Sequence, residues 1–178
     1  MMKPPIDINI TSSQKFFQTH KTKVWDKDSA PILVGIGIRS PENIGAMIRL
    51  AGNVGCIKLL FVGNKEDYKM AKIKKTATTA FKKVNWQFIS YANWLNEIPS
   101  DYALIALETT PDSQMIYSTE LPPKVAFIVG DERYGIDIEA LSHCNSKVYI
   151  PMPSTVLSLN VVQAAAIALF ELLRRNIQ

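Results

Sequence analysis

Residues 31–63 read PILVGIGIRSPENIGAMIRLAGNVGCIKLLFVG, in which two short apolar runs enclose a helical pattern. The apolar runs, 31–38 and 57–63, are rich in Val, Ile, Leu and Phe, which predicts two β-strands. Their apolar residues are nearly continuous rather than alternating, as expected for strands that are covered on both faces. The stretch therefore predicts a mostly parallel sheet, with a helix over about 42–54 between the two strands.

The same alternation of strand and helix patterns continues along the chain. Further strands are predicted at VNWQFIS (84–90), YALIAL (102–107), KVAFIVG (124–130) and KVYIP (147–151), and further helices at about 66–80, 91–97, 136–143 and 159–175. This rhythm predicts an α/β fold in which helices flank the sheet. Residues 31–178 are expected to form a single domain, and the polar residues 1–30 a short arm or an opening helix.

The composition is that of an ordinary globular protein. Hydrophobic residues make up 47% of the 178 residues and charged residues 20%, and the net charge of +4 favours an anionic partner only weakly. Cys56 and Cys144 lie outside any disulfide or metal-ligand pattern, so no metal site is predicted. The N-terminus lacks an apolar signal segment, and the longest apolar stretch, 159–173, is shorter than the ~20 residues that span a bilayer. A cytoplasmic protein without a membrane partner is expected.

The first predicted helix carries two glycines and an arginine on one face. Gly45, Arg49 and Gly52 are spaced four and three residues apart. A glycine inside a helix costs up to about 1 kcal/mol relative to alanine, so the pair indicates close approach of another backbone, a ligand or a second subunit. Glu42 or Asn43 could cap the helix N-terminus, and Arg49 could also be a solvated surface residue.

Two later stretches place polar residues just after predicted strands. FIVGDERYGI (127–136) ends its strand in a glycine, and IPMPSTVLSLNVVQAAAIALFELLRR (150–175) passes through a polar loop into the last helix. Open α/β sheets bind ligands at such positions. The turn after the first strand lacks the third glycine of a dinucleotide fingerprint and the chain lacks a GK[ST] P-loop, so a nicotinamide dehydrogenase is disfavoured.

Together these three stretches resemble the motifs of the SpoU (TrmH-type) branch of the SPOUT methyltransferases. The motifs are an Asn-x5-Arg helix, a Gly-x-Glu-x-x-Gly loop, and Ile-Pro-Met with Ser-Leu-Asn before an Ala-rich helix that ends in Glu. The resemblance covers roughly residues 31–175 and implies a deep C-terminal trefoil knot, although general topology rules disfavour knots. It also implies a homodimer that binds S-adenosyl-L-methionine and methylates a ribose 2′-OH of tRNA or rRNA.

The resemblance assigns roles to residues by their motif positions. The implied cofactor-binding residues are Leu107, Glu108, Thr109, Gly130, Ile150, Met152, Ser158 and Leu159. The implied catalytic residues are Arg49, Asn43, Glu132 and Asn160. Asp131 departs from the pattern, since many members of the family have Asn there, so its contact is expected to differ in detail.

Methyl transfer from a sulfonium to a hydroxyl oxygen needs alignment and a route for the proton, and the departing sulfur needs no metal because it becomes neutral. The family proposal makes Arg49 help to remove the proton, yet a guanidinium is effectively always charged. We therefore expect Arg49 to stabilise the developing alkoxide and to bind the adjacent phosphate. A phosphate oxygen, or Glu132 through water, would accept the proton. Glu132 and Asn160 could instead only cap their own loop and helix.

The last predicted helix is apolar nearly all round. Residues 159–173 contain only Asn160, Gln163 and Glu171 as polar residues. Such a helix is normally buried on several sides, which predicts an isologous homodimer with this helix and the glycine-bearing helix at the contact. A central helix beneath the loops of one chain is the alternative.

A lysine-rich stretch is the predicted RNA-binding surface. Residues 69–83 contain six lysines and no acidic residue. Such a run is often a solvated helix face, but in an RNA-modifying enzyme it would follow the phosphate backbone. The predicted RNA-binding residues are Lys74, Lys75, Lys82 and Lys83.

Two other functions stay open at this stage. One is an RNA base methyltransferase of the same superfamily, against which the Asn43…Arg49 and Ser158-Leu159-Asn160 patterns argue. The other is a catalytically inactive RNA-binding module, which the presence of all the motif side chains disfavours.

Overall fold

The computed structural model describes residues 16–17, 19–20, 24–26, 28–64 and 68–177, so the predicted arm lies largely outside the described residues. The strands are β1 (Ile32–Ile36), β2 (Lys58–Val62), β3 (Trp86–Ile89), β4 (Ala103–Leu107), β5 (Gln114–Met115), β6 (Val125–Val129) and β7 (Ser146–Tyr149). They form one sheet in the order β3-β2-β1-β6-β4-β7-β5, and every neighbouring pair is parallel. The predicted α/β fold with a mostly parallel sheet is confirmed.

The helices are α1 (Pro41–Val54), α2 (Met70–Ala77), α3 (Ala80–Lys83), α4 (Ile138–Ser142) and α5 (Val161–Asn176). The helix predicted at about 66–80 is present but shorter, because α2 begins at Met70 and ends at Ala77, with Thr78 as its C-cap. Thr78 has a φ of 55°, which is unfavourable for a β-branched residue and breaks the helix before α3 begins. The helix predicted over 91–97 is only a 3₁₀ turn, Trp94–Glu97.

All six predicted strands are present, although the edge strand β3 is only partly buried. β1 and β6 are buried along their whole length. Alternate side chains serve two cores: Leu33 and Phe127 belong to the core that contains α1 and α5, whereas Val34 and Ile128 pack in the core with Trp94. β5 was not predicted, since two residues are too few to leave a pattern.

The glycines of α1 are explained by packing within the chain. A Cβ on Gly45 would lie 2.6 Å from the carbonyl oxygen of Ile73 in α2, and one on Gly52 would lie 3.0 Å from Cγ2 of Val84. Of the three explanations offered for these glycines, close approach of another backbone is the one found at Gly45. α2 of the same chain therefore covers α1 at Gly45, whereas Gly52 is exposed beside Val84 and Ala80.

α5 packs on α1 and on strands β4 and β6. Ala168 and Leu169 are fully buried, whereas Phe170 is 49% exposed, so one face of the helix is covered by its own chain and another is open. Within the described ranges, no helix combines the length and apolarity needed to cross a bilayer.

The end of α5 is tied to the segment that follows β5 through a buried carboxylate. Glu171 accepts hydrogen bonds from Nε of Arg174 at 2.8 Å and from Nε of Arg175 at 2.7 Å. Arg175 also donates to the carbonyl oxygens of Ile116 at 2.6 Å and Thr119 at 2.5 Å. Hydrogen bonds from Arg174 and then Arg175 lower the pKa of Glu171 to about 2.

Candidate active site

Three segments converge beside the carboxyl ends of the neighbouring strands β1 and β6. Asn43 lies at the start of α1, Glu132 in the loop after β6, and Asn160 just before α5. Nδ2 of Asn43 donates to Oε1 of Glu132 at 2.7 Å, and Nδ2 of Asn160 donates to Oδ1 of Asn43 at 3.1 Å. Three of the four predicted catalytic residues are therefore joined in one hydrogen-bonded network.

The start of α1 leaves the side chain of Asn43 free for this network. The prediction that Glu42 or Asn43 caps the helix is wrong: Ser40 is the N-cap, and its Oγ accepts from the backbone N–H of Asn43 at 3.2 Å. Pro41 follows at a position where a missing N–H costs nothing. Because Ser40 provides the cap, both the nitrogen and the oxygen of the Asn43 side-chain amide can form hydrogen bonds elsewhere.

Asn160 has two roles at once. It was predicted in the first turn of the last helix, but it is the N-cap of α5, with Oδ1 accepting from the backbone N–H of Val162 at 2.9 Å. Its Nδ2 remains free to donate to Asn43. The capping role and the proposed positioning role are therefore compatible, because each uses a different atom of the amide.

The loop that carries Glu132 is a tight hairpin-like turn. Asp131 and Gly135 exchange two backbone hydrogen bonds of 3.0 and 2.9 Å. A Cβ on Gly130 would lie 2.2 Å from the carbonyl carbon of Gly135, so only glycine fits there. Oδ1 of Asp131 accepts the backbone N–H groups of Arg133 and Tyr134 at 2.8 and 3.0 Å. These contacts fix the position from which Glu132 projects.

Asp131, which departs from the family pattern, is paired with Arg39. Nε of Arg39 donates to Oδ2 of Asp131 at 2.5 Å, and the backbone N–H of Arg39 donates to Oε2 of Glu132 at 3.2 Å. The N–H groups of Arg133 and Tyr134, together with Arg39, lower the pKa of Asp131 against the opposing effect of burial. A negatively charged residue is therefore matched to Arg39, to which no motif assigned a role in the site.

Glu108 joins two of the loops around the adjoining cleft. Its Oε2 accepts the backbone N–H of Ile136 at 2.9 Å, and its Oε1 accepts that of Thr109 at 2.9 Å. Gly135 has a φ of +69°, and a Cβ there would lie 2.4 Å from Oε2 of Glu108. The second glycine of the loop is therefore required both by its backbone conformation and by the space that Glu108 occupies.

A cleft of about 200 Å³ is bounded by the ends of β4 and β7 and by the loop before α5. All the predicted cofactor-binding residues except Gly130 line it: Leu107, Glu108, Thr109, Ile150, Met152, Ser158 and Leu159. Gly130 lines an adjoining cavity that shares Leu107, Glu108 and Leu159 with the cleft and also contains Glu132. Glu132 thus lies beside the predicted cofactor residues.

Three further residues of the cleft were not predicted. Tyr149, Leu157 and Ala164 also line it. Tyr149 precedes the Ile-Pro-Met motif by one residue, and Ala164 belongs to the Ala-rich helix, so proximity in sequence was an available signal for both. Leu157, which is 71% exposed, directly precedes the Ser-Leu-Asn motif, so the same signal was available for it.

Arg49 lies apart from the network of Asn43, Glu132 and Asn160. It is exposed on α1, six residues after Asn43, and makes no hydrogen bond or ion pair with any other residue that the structure describes. Six residues correspond to about 9 Å along a helix.

The predicted RNA-binding lysines are exposed in the last turns of α2 and α3: Lys74, Lys75, Lys82 and Lys83.

The thiols give no sign of reactivity. Burial raises the pKa of Cys56 to about 12 and that of Cys144 to about 11, so both stay protonated at neutral pH. No group of three or more His, Cys, Asp or Glu residues with metal-binding geometry occurs in the described part of the chain.

The model of the SpoU rRNA Methylase family matches residues 30–170 of the chain. The 23S rRNA (guanosine-2′-O-)-methyltransferase RlmB of Xylella fastidiosa (strain 9a5c) is 32% identical over 149 residues, which make up 83% of this chain and 59% of that protein. The chain therefore spans about three fifths of the length of the curated relatives it matches.

Solved structures share the fold. The crystal structure of an RNA 2′-O ribose methyltransferase is 27% identical, with a TM-score of 0.72 over 87% of this chain and 60% of that chain. The AdoMet-bound rRNA methyltransferase from Sinorhizobium meliloti has a TM-score of 0.77 over 85% of this chain and 59% of that chain. At 19% identity, this second likeness shows the fold alone.

Proposed function

Because the chain belongs to the SpoU rRNA Methylase family, as its three motifs predicted, we propose that it is an S-adenosyl-L-methionine-dependent methyltransferase that acts on a ribose 2′-OH of tRNA or rRNA. The observation that carries this proposal is the network of Asn43, Glu132 and Asn160 beside a cleft lined by the predicted cofactor residues. The names of the relatives, which include 23S rRNA (guanosine-2′-O-)-methyltransferases, agree with it.

The cleft has the chemistry that S-adenosyl-L-methionine requires. Apolar side chains such as Leu107, Ile150 and Leu159 would hold the adenine ring, and backbone groups of the loops would bind its edge. Glu108 and Ser158 offer polar atoms to the ribose hydroxyls. The bound cofactor supplies an activated methyl group on a positively charged sulfur.

The chain's own residues would orient the RNA hydroxyl and receive its proton. As the 2′ oxygen forms its bond to the methyl carbon, the carbon–sulfur bond breaks and the hydroxyl proton must leave. Each carboxylate oxygen of Glu132 already accepts one hydrogen bond, from Asn43 and from the backbone of Arg39, and keeps a second acceptor position. We assign this remaining capacity to the ribose hydroxyl, either directly or through water, with an RNA phosphate as the other acceptor.

Arg49 is proposed as the cation that stabilises the developing alkoxide and binds the adjacent phosphate. Its lack of a hydrogen bond to any other described residue supports a role that begins only when RNA or a second protomer is present. The fork of an arginine, unlike the point charge of a lysine, binds two oxygens at once. Arg49→Lys should therefore lose most turnover, and near-normal turnover would refute this assignment.

We further propose a homodimer and a knotted chain. The open face of α5, with Phe170 49% exposed, supports a homodimer that covers it. The knot is supported by the order of the sheet, in which β6 lies between β1 and β4 while β7 lies beyond β4, and by the return of α5 to α1. Residues 31–178 would form the one methyltransferase domain, with 1–30 as an extension, and a cytoplasmic location would follow from the RNA substrates.

The RNA would be held in part by Lys74, Lys75, Lys82 and Lys83. They are exposed on neighbouring short helices, and none is paired with a carboxylate among the described residues. The only acidic partner on this surface is Glu42, which binds Lys72 at 3.1 Å within the described part of the chain. The four lysines are therefore available for phosphate contacts.

The test is methyl transfer from labelled S-adenosyl-L-methionine to RNA purified from cells that lack this protein. A methyl group on the 2′ oxygen blocks cleavage of the adjacent linkage, so the label should appear in nuclease-resistant dinucleotides. Label in a modified base would support the alternative, a base methyltransferase. Failure to bind the cofactor in calorimetry would instead support an inactive RNA-binding module.

A further inference from the structure

Tyr134 is the most exposed aromatic side chain of the described residues, at 75% exposure. It lies in the loop after β6, two residues beyond Glu132. One face of its ring is covered by the guanidinium of Arg39, whose Cζ lies 5.1 Å from the ring centroid. A cation at this distance is attracted to the ring and restricts its motion. The ring is thus held on the surface, although it buries little apolar area.

A single carboxylate holds both members of this pair. Oδ2 of Asp131 accepts from Nε of Arg39 at 2.5 Å, and Oδ1 accepts from the backbone N–H of Tyr134 at 3.0 Å. The side chain of Asp131 is only 10% exposed, whereas that of Arg39 is 61% exposed. Because Asp131 fixes the guanidinium of Arg39 and the backbone of Tyr134 in advance, less conformational entropy would be lost when a ligand binds to the pair.

The pair adjoins the proposed catalytic carboxylate. The backbone N–H of Arg39 donates to Oε2 of Glu132, so Arg39 and Glu132 are direct neighbours. The only hydrogen bond from the guanidinium of Arg39 to the described residues uses Nε, which leaves both Nη atoms for a phosphate. An aromatic ring and a free guanidinium edge therefore lie together at the place where the RNA sugar would be held.

We propose that Arg39, Asp131 and Tyr134 form a subsite for an unpaired RNA nucleotide next to the reacting ribose. Tyr134 stacks on the base, Arg39 binds a phosphate through its Nη atoms, and Asp131 positions both. Single-stranded RNA is the ligand that this chemistry favours, since an exposed base offers a π-face of any sequence and its backbone offers the anion. The proposal rests on the proposed function for its RNA ligand, but it concerns binding and not methyl transfer.

The test measures the binding of two fluorescein-labelled oligomers of equal length by anisotropy, without cofactor. One is oligoadenylate and the other is an abasic ribose-phosphate chain. Tyr134→Ala should weaken the binding of oligoadenylate by about 5- to 100-fold, the range for loss of one stacked base, and should leave the binding of the abasic chain unchanged. Tyr134→Phe keeps the ring and should bind within about twofold of the wild type.

Arg39→Gln should weaken the binding of both oligomers and reduce the dependence of affinity on salt by about one phosphate contact. Tyr117→Ala is the matched control, because Tyr117 is also exposed, at 48%, and lies outside the network around Glu132. Cofactor affinity, measured by calorimetry, should be unchanged in the two Tyr134 variants.

Three results would overturn the subsite: no binding of oligoadenylate by the wild type, wild-type affinity in Tyr134→Ala, or equal losses for the two oligomers in that variant. A loss of cofactor affinity in Tyr134→Ala would also count against it, since the effect would then be on the fold of the loop. Absence of methyl transfer by the wild type would refute the proposed function and leave this binding result standing.

Discussion

Replacing Glu171 by Gln tests how strongly the end of α5 is fixed. The Glu171 side chain is only 7% exposed and accepts hydrogen bonds from Arg174 and Arg175. Arg175 uses its other nitrogens to bind the carbonyl oxygens of Ile116 and Thr119. Gln keeps the shape of Glu and one acceptor oxygen, but it removes the charge that neutralises Arg175.

The expected loss can be estimated from the exposure of each partner. The side chain of Arg174 is 70% exposed, so its ion pair is screened and contributes about 0–1 kcal/mol. The side chain of Arg175 is only 22% exposed, and breaking a buried pair costs about 3–5 kcal/mol. Since Gln retains one acceptor, we expect the free energy of unfolding to fall by about 2–3 kcal/mol, which lowers Tm by about 4–12 °C in a chain of this length.

The effect should also depend on pH with a defined sign. The pKa of Glu171 is lowered in the folded state from 4.5 to about 2, so its stabilising effect is complete above the unfolded pKa and is lost as the pH falls through the folded one. The difference between wild type and Glu171→Gln should therefore be constant above about pH 5.5 and shrink below it. At pH 3 about two fifths of the neutral-pH difference should remain.

Urea unfolding at pH 7 and at pH 3, followed by far-UV circular dichroism, measures both quantities. Glu120→Gln is a suitable control, because Glu120 is exposed and directly follows Thr119, and it should change stability by less than about 0.5 kcal/mol. A Glu171→Gln protein as stable as the wild type at pH 7, or a loss that is equally large at pH 3, would refute the reasoning.

Three further predictions concern the site. Asn43→Asp should lower kcat by about 10²–10³-fold, because it sets a second carboxylate against Glu132, with cofactor affinity in calorimetry unchanged; normal turnover would contradict the proposed network. Gly135→Ala should instead weaken cofactor binding at least about tenfold, since its Cβ would lie 2.4 Å from Oε2 of Glu108, and unchanged binding would show that the loop can move. The third prediction concerns the proposed RNA-binding lysines, Lys74, Lys75, Lys82 and Lys83. Exchange of all four for Gln should reduce the slope of log affinity for single-stranded RNA against log salt concentration by about 3. An unchanged slope would exclude this surface as an RNA-binding site.

The parts of the fold that could be predicted from the sequence are those with a strong local signal. Strands such as β1 and β6 are buried on both faces, so they leave continuous apolar runs. The break between α2 and α3 left no such signal, because the residue type of Thr78 does not indicate its positive φ. The glycines of α1 indicated a close contact, but only the fold shows that α2 makes it at Gly45 and that Val84 lies nearest to Gly52.

The sequence motifs predicted which residues gather around the cleft better than they predicted how their side chains are connected. The motif residues for the cofactor lie around one cleft, because motif positions record which loops follow which strands. The link between Arg39 and Asp131 could not be predicted, since the two residues are 92 positions apart and neither belongs to a pattern that requires the other. Side-chain partners of this kind depend on how two loops meet in space.

The caps of two helices explain why the network around Glu132 can exist. Ser40 caps α1 and so frees the amide of Asn43, while Asn160 caps α5 with its oxygen and bonds to Asn43 with its nitrogen. Both helix N-termini, which carry partial positive charge, are thereby held close to one carboxylate. If Ser40 were replaced by Ala, the N–H of Asn43 would lose its acceptor, and the helix start that positions the amide against Glu132 would be weakened by about 1 kcal/mol. Local helix capping and the geometry of the proposed reaction are therefore determined by the same few residues.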